Sequence, residues 1–162
     1  MDKTIAVLAT LDTKGQESNY LREQIEKLGE SALLIDMGVI GDPGTRTDIN
    51  REELAAAGGT PLESILENPT RQDAAPVMVD GAIQIITKLI DEGQIHAIIC
   101  LGGTQGTTNC SQVLQALPYG FPKIMVSTVA SGDTSPFVDI KDITMMFSVS
   151  DILGLNTFTC RI

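Results

Sequence analysis

Ile95-His96-Ala97-Ile98-Ile99-Cys100-Leu101-Gly102-Gly103-Thr104-Gln105-Gly106-Thr107-Thr108 decides how the chain is read. Its first half is short, almost wholly apolar and rich in isoleucine, which suits a strand buried on both faces of a parallel sheet. Its second half is glycines and hydroxyls, and a helical pattern resumes at about Thr107 and runs to Ala116, before Pro118. A strand that passes through a Gly-rich turn into a helix aims bare N–H groups and the positive end of the helix dipole at one space. Such a space suits an anion, most often a phosphate. The competing reading is a tight turn whose glycines let the helix pack close to the strand.

Towards the amino terminus, Thr4-Ile5-Ala6-Val7-Leu8-Ala9-Thr10 reads as a buried first strand. Residues 10–15 form the turn after it, and an amphipathic helix follows over 16–28 with Tyr20, Leu21, Ile25 and Leu28 on one face and Gly29 as its cap. Residues 31–36 make a second strand ending in Asp36. Residues 37–50, rich in Gly, Asp and Thr, are too long for a routine connection and suit a binding loop or lid. Short helices are expected over 51–57 and after Thr60-Pro61, and the longest helix over 71–92. Towards the carboxyl terminus, residues 122–127 and 143–147 read as strands four and five. Asp151 then caps an apolar pattern of Ile152, Leu155, Phe158 and Ile162, which predicts a terminal helix.

Strands alternating with helical patterns indicate one α/β domain over 1–162: an open, mostly parallel sheet of about five strands with helices on both faces. With the flavodoxin-like order 2-1-3-4-5, ligands bind beyond the carboxyl ends of the strands where the winding reverses, between strands one and three. That places Thr10, Asp12, Thr13 and Lys14 beside Gly102, Gly103, Thr104, Gly106 and Thr107. Ser127, Thr128, Ser131 and Gly132 come next along the edge. Lys14 is a candidate to neutralise a phosphate and Asp12 to hold a metal or hydroxyl; a helix cap and a solvated lysine explain them equally well. Asp36 sits where a ribose-binding acid would be, Arg46 is a candidate anion clamp in the long loop, and an ordinary polar turn competes for residues 127–133.

Composition narrows the classes. The net charge of −10 argues against nucleic acid and against anionic membrane surfaces, and no run reaches transmembrane length. Met1-Asp2-Lys3 leads at once into a strand, so no signal peptide is expected and a cytoplasmic protein is the default. Cys100, Cys110 and Cys160 form neither a disulfide framework nor a metal pair, and no metal site is expected from them. A lone histidine, His96, lies in the central strand and reads as structural. The turn is no Walker loop, for no Gly-Lys-Ser/Thr follows, and GGxxG is a poor dinucleotide fingerprint.

Four segments together resemble a known family: Thr10-Leu11-Asp12-Thr13-Lys14-Gly15, Leu101-Gly102-Gly103-Thr104-Gln105-Gly106-Thr107, Val126-Ser127-Thr128-Val129-Ala130-Ser131-Gly132 and Val149-Ser150-Asp151-Ile152-Leu153-Gly154-Leu155-Asn156. They are similar to the amino-terminal domain of the ATP-binding family typified by the tomato mosaic virus resistance protein, whose bacterial and fungal members form an uncharacterised protein family. The resemblance implies a Rossmann-like nucleotide-binding domain, ATP as ligand, with Mg²⁺ as a possible companion, and a longer parent with a further carboxyl-terminal domain joined near residues 151–162. Three expectations follow for function: a nucleotide-binding domain, part of a transferase, ligase or hydrolase whose catalytic groups lie partly in the further domain, or an assembly module. The apolar terminal pattern and the edge position of strand five also predict a homo-oligomer in contact through the region after Thr144.

Overall fold

The computed structural model describes residues 3–67 and 71–161. Five parallel strands form one sheet in the order β2-β1-β3-β4-β5: β1 (Thr4–Ala9), β2 (Ser31–Asp36), β3 (Ala97–Gly102), β4 (Lys123–Ser127) and β5 (Ile143–Phe147). The α/β class and the strand order are as expected. β1 pairs with β2 from Thr4↔Ser31 to Ala9↔Asp36, and β3 pairs with β4 from Ile98↔Lys123 to Gly102↔Ser127, so the carboxyl ends of all four finish at one edge.

Handedness distributes the helices. A right-handed crossover puts a step in one direction on one face and a step in the other direction on the opposite face. The step from β1 to β2 carries α1 (Leu11–Lys27) onto one face. The steps from β2 to β3 and from β3 to β4 carry α2 (Arg51–Ala57), α3 (Leu62–Glu67), α4 (Arg71–Asp91) and α5 (Thr104–Ala116) onto the other, and the short α6 (Ser135–Val138) packs beside α5. Two cores result. The larger unites Ala6, Leu8, Ile35, Ile98, Cys100 and Met125 of the sheet with Leu54, Met78, Ile86 and Leu114 of the helices. The smaller joins Val7, Ala9, Leu34 and Leu101 with Leu11 and Ile25 of α1 and with Ile152. Burying one such aliphatic side chain contributes about 1.5–3 kcal/mol, which is why alternate residues of each strand can serve both cores.

Local signals place the smaller elements. Asn50 Oδ1 accepts the Glu53 N–H at 2.9 Å and Glu53 Oε2 accepts the Asn50 N–H at 2.8 Å, a reciprocal box that starts α2. Gly29 and Gly93 follow α1 and α4 with φ of 87° and 67°, the left-handed conformation that glycine tolerates best. His96 precedes β3, and its Nδ1 accepts the Thr4 N–H at 3.1 Å, a structural role. Cys100 and Cys110 are buried, and burial together with the neighbouring Cys110 thiol pushes the Cys100 thiol up from its ordinary range.

Four expectations need correction. α1 begins at Leu11 rather than at Gln16, so residues 11–15 are helix and not a turn. The cause is remote in sequence: Asp36 Oδ1 accepts the Leu11 N–H at 3.1 Å and so lets the helix start directly after β1. α5 likewise begins at Thr104 rather than Thr107. Leu28 is the exposed C-cap of α1 and not part of its buried stripe, which runs through Leu11, Gly15, Ser18 and Ile25. The terminal helix is absent: residues 151–158 are irregular and only a 3₁₀ turn forms at Thr159–Arg161. Side chains of α1 claim the backbone groups a helix would need. Lys14 Nζ donates to the Ile152 carbonyl at 2.5 Å, Glu17 Oε1 accepts the Gly154 N–H at 2.7 Å, and Tyr20 donates to the Cys160 carbonyl at 2.9 Å. Gly154 itself sits at φ 72°. Ile162 lies outside the described residues.

Candidate functional site

At the carboxyl edge of the sheet, where the winding reverses, the amino-terminal ends of α1 and α5 face one another from opposite faces. Between them opens a cavity of about 380 Å³. Thr10, Asp12 and Thr13 line it from the start of α1, Gln105 and Asn109 from the start of α5, and Gly38, Val39 and Ile40 from the loop after β2. Met37, Ile65, Ala74 and Met78 close its apolar end. A cavity of this size, mostly apolar and with a few convergent polar groups, is the usual form of a small-molecule site.

The Gly-rich turn divides its labour. Gly102 is a packing glycine: a Cβ there would lie 2.8 Å from Gly106 Cα and 3.1 Å from Thr107 N. The close-packing reading of the turn therefore holds for Gly102. Gly103 is different. It is the N-cap of α5, has ordinary extended torsions (φ −78°, ψ −158°), and receives no side-chain cap. A Cβ there would meet only Thr128 Oγ1, at 3.8 Å, so the space in front of the helix is open. No acid stands in the first turn of α5. The leading N–H groups of this 13-residue helix and its dipole thus meet no acid in their own first turn, and Gln105 of that turn lines the cavity.

The other expected residues divide into those brought together and those drawn away. Thr104 and Gly106 lie in the first turn of α5 but, like Gly102 and Gly103 before them, do not line the cavity, which Gln105 of the same turn does. Thr107 is buried, and its Oγ1 lies 2.7 Å from Ser127 Oγ, which also accepts the Val129 N–H at 3.1 Å. Both hydroxyls bind the end of β3 to the end of β4. Thr128, whose N–H donates to the Gly102 carbonyl at 3.3 Å, borders Gly103, and Ser131 and Gly132 form a more distant rim. Asp36 is 1 % exposed; its Oδ1 accepts from Leu11 and Gly38 N–H groups, and its Oδ2 lies 3.5 Å from Arg51 Nε. The Lys14 ammonium is drawn to the Ile152 carbonyl on the α1 face, aided by a break in the helix at Lys14 (φ −127°, ψ 16°). Arg46 is exposed two turns further along α1, where its carbonyl accepts from Arg22 Nη2 at 2.7 Å.

The long loop is shaped by close backbone approaches. A Cβ on Gly15 would lie 2.0 Å from the Pro43 carbonyl oxygen, and Gly41, at φ 77°, passes the Asp12 side chain. Arg51 Nη2 donates to the Gly41 carbonyl at 2.8 Å, so Asp36 and Arg51 together hold the loop over the start of α1. The apolar wall and the polar pair Gln105 and Asn109 escaped the reading of the sequence. The i, i+4 spacing of those two amides, beside the buried Cys110, Val113 and Leu114, is the one signal that marks a polar patch on the inward side of α5. Among the residues whose side chains are described, which also leaves out 71–73, no Lys or Arg lines the cavity and no group of three or more potential metal ligands occurs. Among the described residues no helix is long and apolar enough to cross a membrane.

Comparison with known proteins gives the chain a family. Residues 3–162 match the model of the "Uncharacterised protein family (UPF0261) N-terminal domain". A UPF0261 protein of Clostridium tetani is 45 % identical over 162 residues, covering 100 % of this chain and 40 % of that protein. A UPF0261 protein of Rhizobium meliloti is 37 % identical over 154 residues, covering 95 % of this chain and 38 % of that protein. The ToMV susceptible protein tm-1(GCR26) of Solanum lycopersicum is 28 % identical over 166 residues, covering 92 % of this chain and 22 % of that protein. The chain spans about two-fifths of the length of the bacterial relatives it matches. On the match over nearly its whole length, the chain belongs to the UPF0261 family and corresponds to its amino-terminal domain.

Proposed function

We propose that this domain binds a nucleotide, with ATP as the leading candidate, at the winding-reversal cavity. The observation that carries the reading is the open amino terminus of α5: a full-length helix begins at a glycine with free space before it, and Gln105 of its first turn lines a cavity large enough for a base. The phosphates lie against the N–H groups of Thr104, Gln105 and Gly106, and the base and sugar extend towards Met37, Ile65 and Met78. Thr128 borders the phosphates from β4.

Asp12 lines the cavity and adds negative charge there. A polyphosphate seated beside that carboxylate is best accompanied by a cation. Asp12, with Thr10 and Thr13 beside it, supplies the oxygen ligands that Mg²⁺ takes from a protein when phosphates provide the rest. When bound, that ion screens the phosphates from the carboxylate. Lys14, Asp36 and Arg46 are held elsewhere and serve the architecture around the site. The competing reading, a nucleotide-dependent transferase, ligase or hydrolase, draws further catalytic groups from the remaining length of the longer members of the family.

Calorimetric titration with ATP, ADP and NAD, each with and without Mg²⁺, tests the reading. ATP binding that weakens at least about tenfold without Mg²⁺ is expected, together with loss of binding in Gly103→Val at an unchanged unfolding midpoint. Absence of binding by any of the three, or a Gly103→Val protein that binds as tightly as its parent, overturns it.

A further inference from the structure

The two faces of the sheet are unequally covered. Every step rightward from β2 through β3 and β4 to β5 places its helix on one face, so the opposite face receives α1 alone. Cover on that face decays strand by strand. Val7 of β1 and Leu101 of β3 are buried, Ile124 and Val126 of β4 are half-buried, and Thr144 and Met146 of β5 are exposed. The segment after β5 seals only part of the gap. Ile152 enters the small core and Leu155 reaches the hollow beside Val126, while Leu153 is 76 % and Phe158 72 % exposed.

The same region holds a β-branched residue in the left-handed conformation. Val149 has φ 63° and is 69 % exposed. Such torsions are an outlier for valine, and strained residues persist where their surroundings fix them. The backbone of the segment is held by hydrogen bonds with Lys14, Glu17 and Tyr20 and by the Ser148 N–H, which donates to the Ser127 carbonyl. Leu153 and Phe158 stay exposed, as does Met146 of β5, and an exposed apolar patch of this kind marks an interface.

We infer that this patch is the seat of the polypeptide that follows the matched region in longer UPF0261 proteins. Two observations select that occupant. The matched domain is described as amino-terminal, and more than half of each bacterial relative lies outside the match. The patch is built from β5 and the residues after it, so the continuing chain meets this face before any other. The handedness of the sheet supplies the physical need: among the described residues no crossover helix lies over β4 and β5 on this face. The following polypeptide completes the second layer that α1 begins.

Hydrogen exchange on the Clostridium tetani relative tests this, comparing the whole protein with the same protein cut to the region matched here. The peptide aligned with residues 144–158 should exchange at least about tenfold more slowly in the whole protein, while the peptide aligned with β1 stays unchanged. The present chain should scatter light as a single copy at micromolar concentration, and Leu155→Asp and Phe158→Asp should leave that mass and the unfolding midpoint unaltered. Equal exchange of the 144–158 peptide in the two forms overturns the inference. So does a dimer of the present chain that Leu155→Asp or Phe158→Asp dissociates, because the occupant is then a second copy.

Discussion

The two helix amino termini that meet at the carboxyl edge of the sheet have the same topological position and opposite treatment. The start of α1 is closed from within. A buried carboxylate of the protein, Asp36, accepts its first N–H, ties down the following loop through Gly38, and is itself neutralised by Arg51. The start of α5 has a glycine for a cap, no acid in its first turn and open space before it. A helix end needs an acceptor for its leading N–H groups. In α1 the chain provides it from 25 residues away; in α5 it leaves the place to solvent or to a ligand. The contrast separates architecture from function at a site where both ends carry similar polar sequences.

The largest effect expected on this comparison is at the closed end. Asp36→Ala removes the acceptor of two backbone N–H groups and leaves the largely buried Arg51 guanidinium without its carboxylate. Breaking a buried pair in this way costs about 3–5 kcal/mol. A urea titration should show the unfolding midpoint falling accordingly, and a loss below about 1 kcal/mol would mean that the α1 terminus is not held by Asp36. Proteolysis within 37–50 should rise in parallel, because the same carboxylate anchors that loop.

How far the sequence disclosed this arrangement differs between its parts. The strands were legible because each is a compact apolar run with the right spacing, and the parallel sheet followed from the alternation of strand and helix, while the order was taken from the flavodoxin-like arrangement. The starts of α1 and α5 were not. Glycines at 15, 103 and 106 read locally as turn residues. Gly15 instead admits the Pro43 carbonyl against a helix, and Gly102 admits the backbone of Gly106 in the first turn of α5. The first of these contacts joins residues that a local window does not weigh together. The terminal segment failed in the opposite sense. Ile152, Leu155 and Phe158 have helical spacing, yet Lys14 and Glu17, more than 130 residues earlier, hold the backbone in another shape. In the cavity, Thr10, Asp12 and Thr13 followed from topology alone. Its apolar wall did not, since Met37 and Ile65 carry no mark that distinguishes a lining residue from a core one.

An intermediate effect is expected within the Gly-rich turn, and it sharpens the comparison by splitting adjacent glycines. Gly102→Ala drives a methyl against the backbone of Gly106 and Thr107, which cannot yield as a side-chain tip would. Overpacking of this kind costs about 1–3 kcal/mol and would shift the start of α5 away from β3. Gly103→Ala meets open space at torsions any residue adopts, and its effect on stability should stay within about 0.5 kcal/mol. Thermal unfolding of the two variants side by side gives the answer. Equal losses would show that the two glycines do one job, and the open character of the α5 terminus would then have no support from the turn.

The smallest effect is expected one turn further in, where the hydroxyls of Thr107 and Ser127 meet at 2.7 Å with no exposure to solvent. Thr107→Val keeps the shape and removes one partner. Ser127 Oγ retains the Val129 N–H, so it is not wholly orphaned, and the cost should be about 1 kcal/mol. The Thr107 hydroxyl joins β3 to β4 rather than facing the cavity, whereas the Thr107 N–H already donates to the Gly103 carbonyl at 2.8 Å. Nucleotide affinity, if it resides at the open end of α5, should therefore change by less than about threefold in this variant, a difference under about 1 kcal/mol. Measured together, unfolding and calorimetry distinguish the two roles of a threonine at a helix start. A loss of affinity well beyond threefold at full stability would place its hydroxyl on the ligand, and the boundary between the packing part of the turn and its binding part would then lie beyond Thr107.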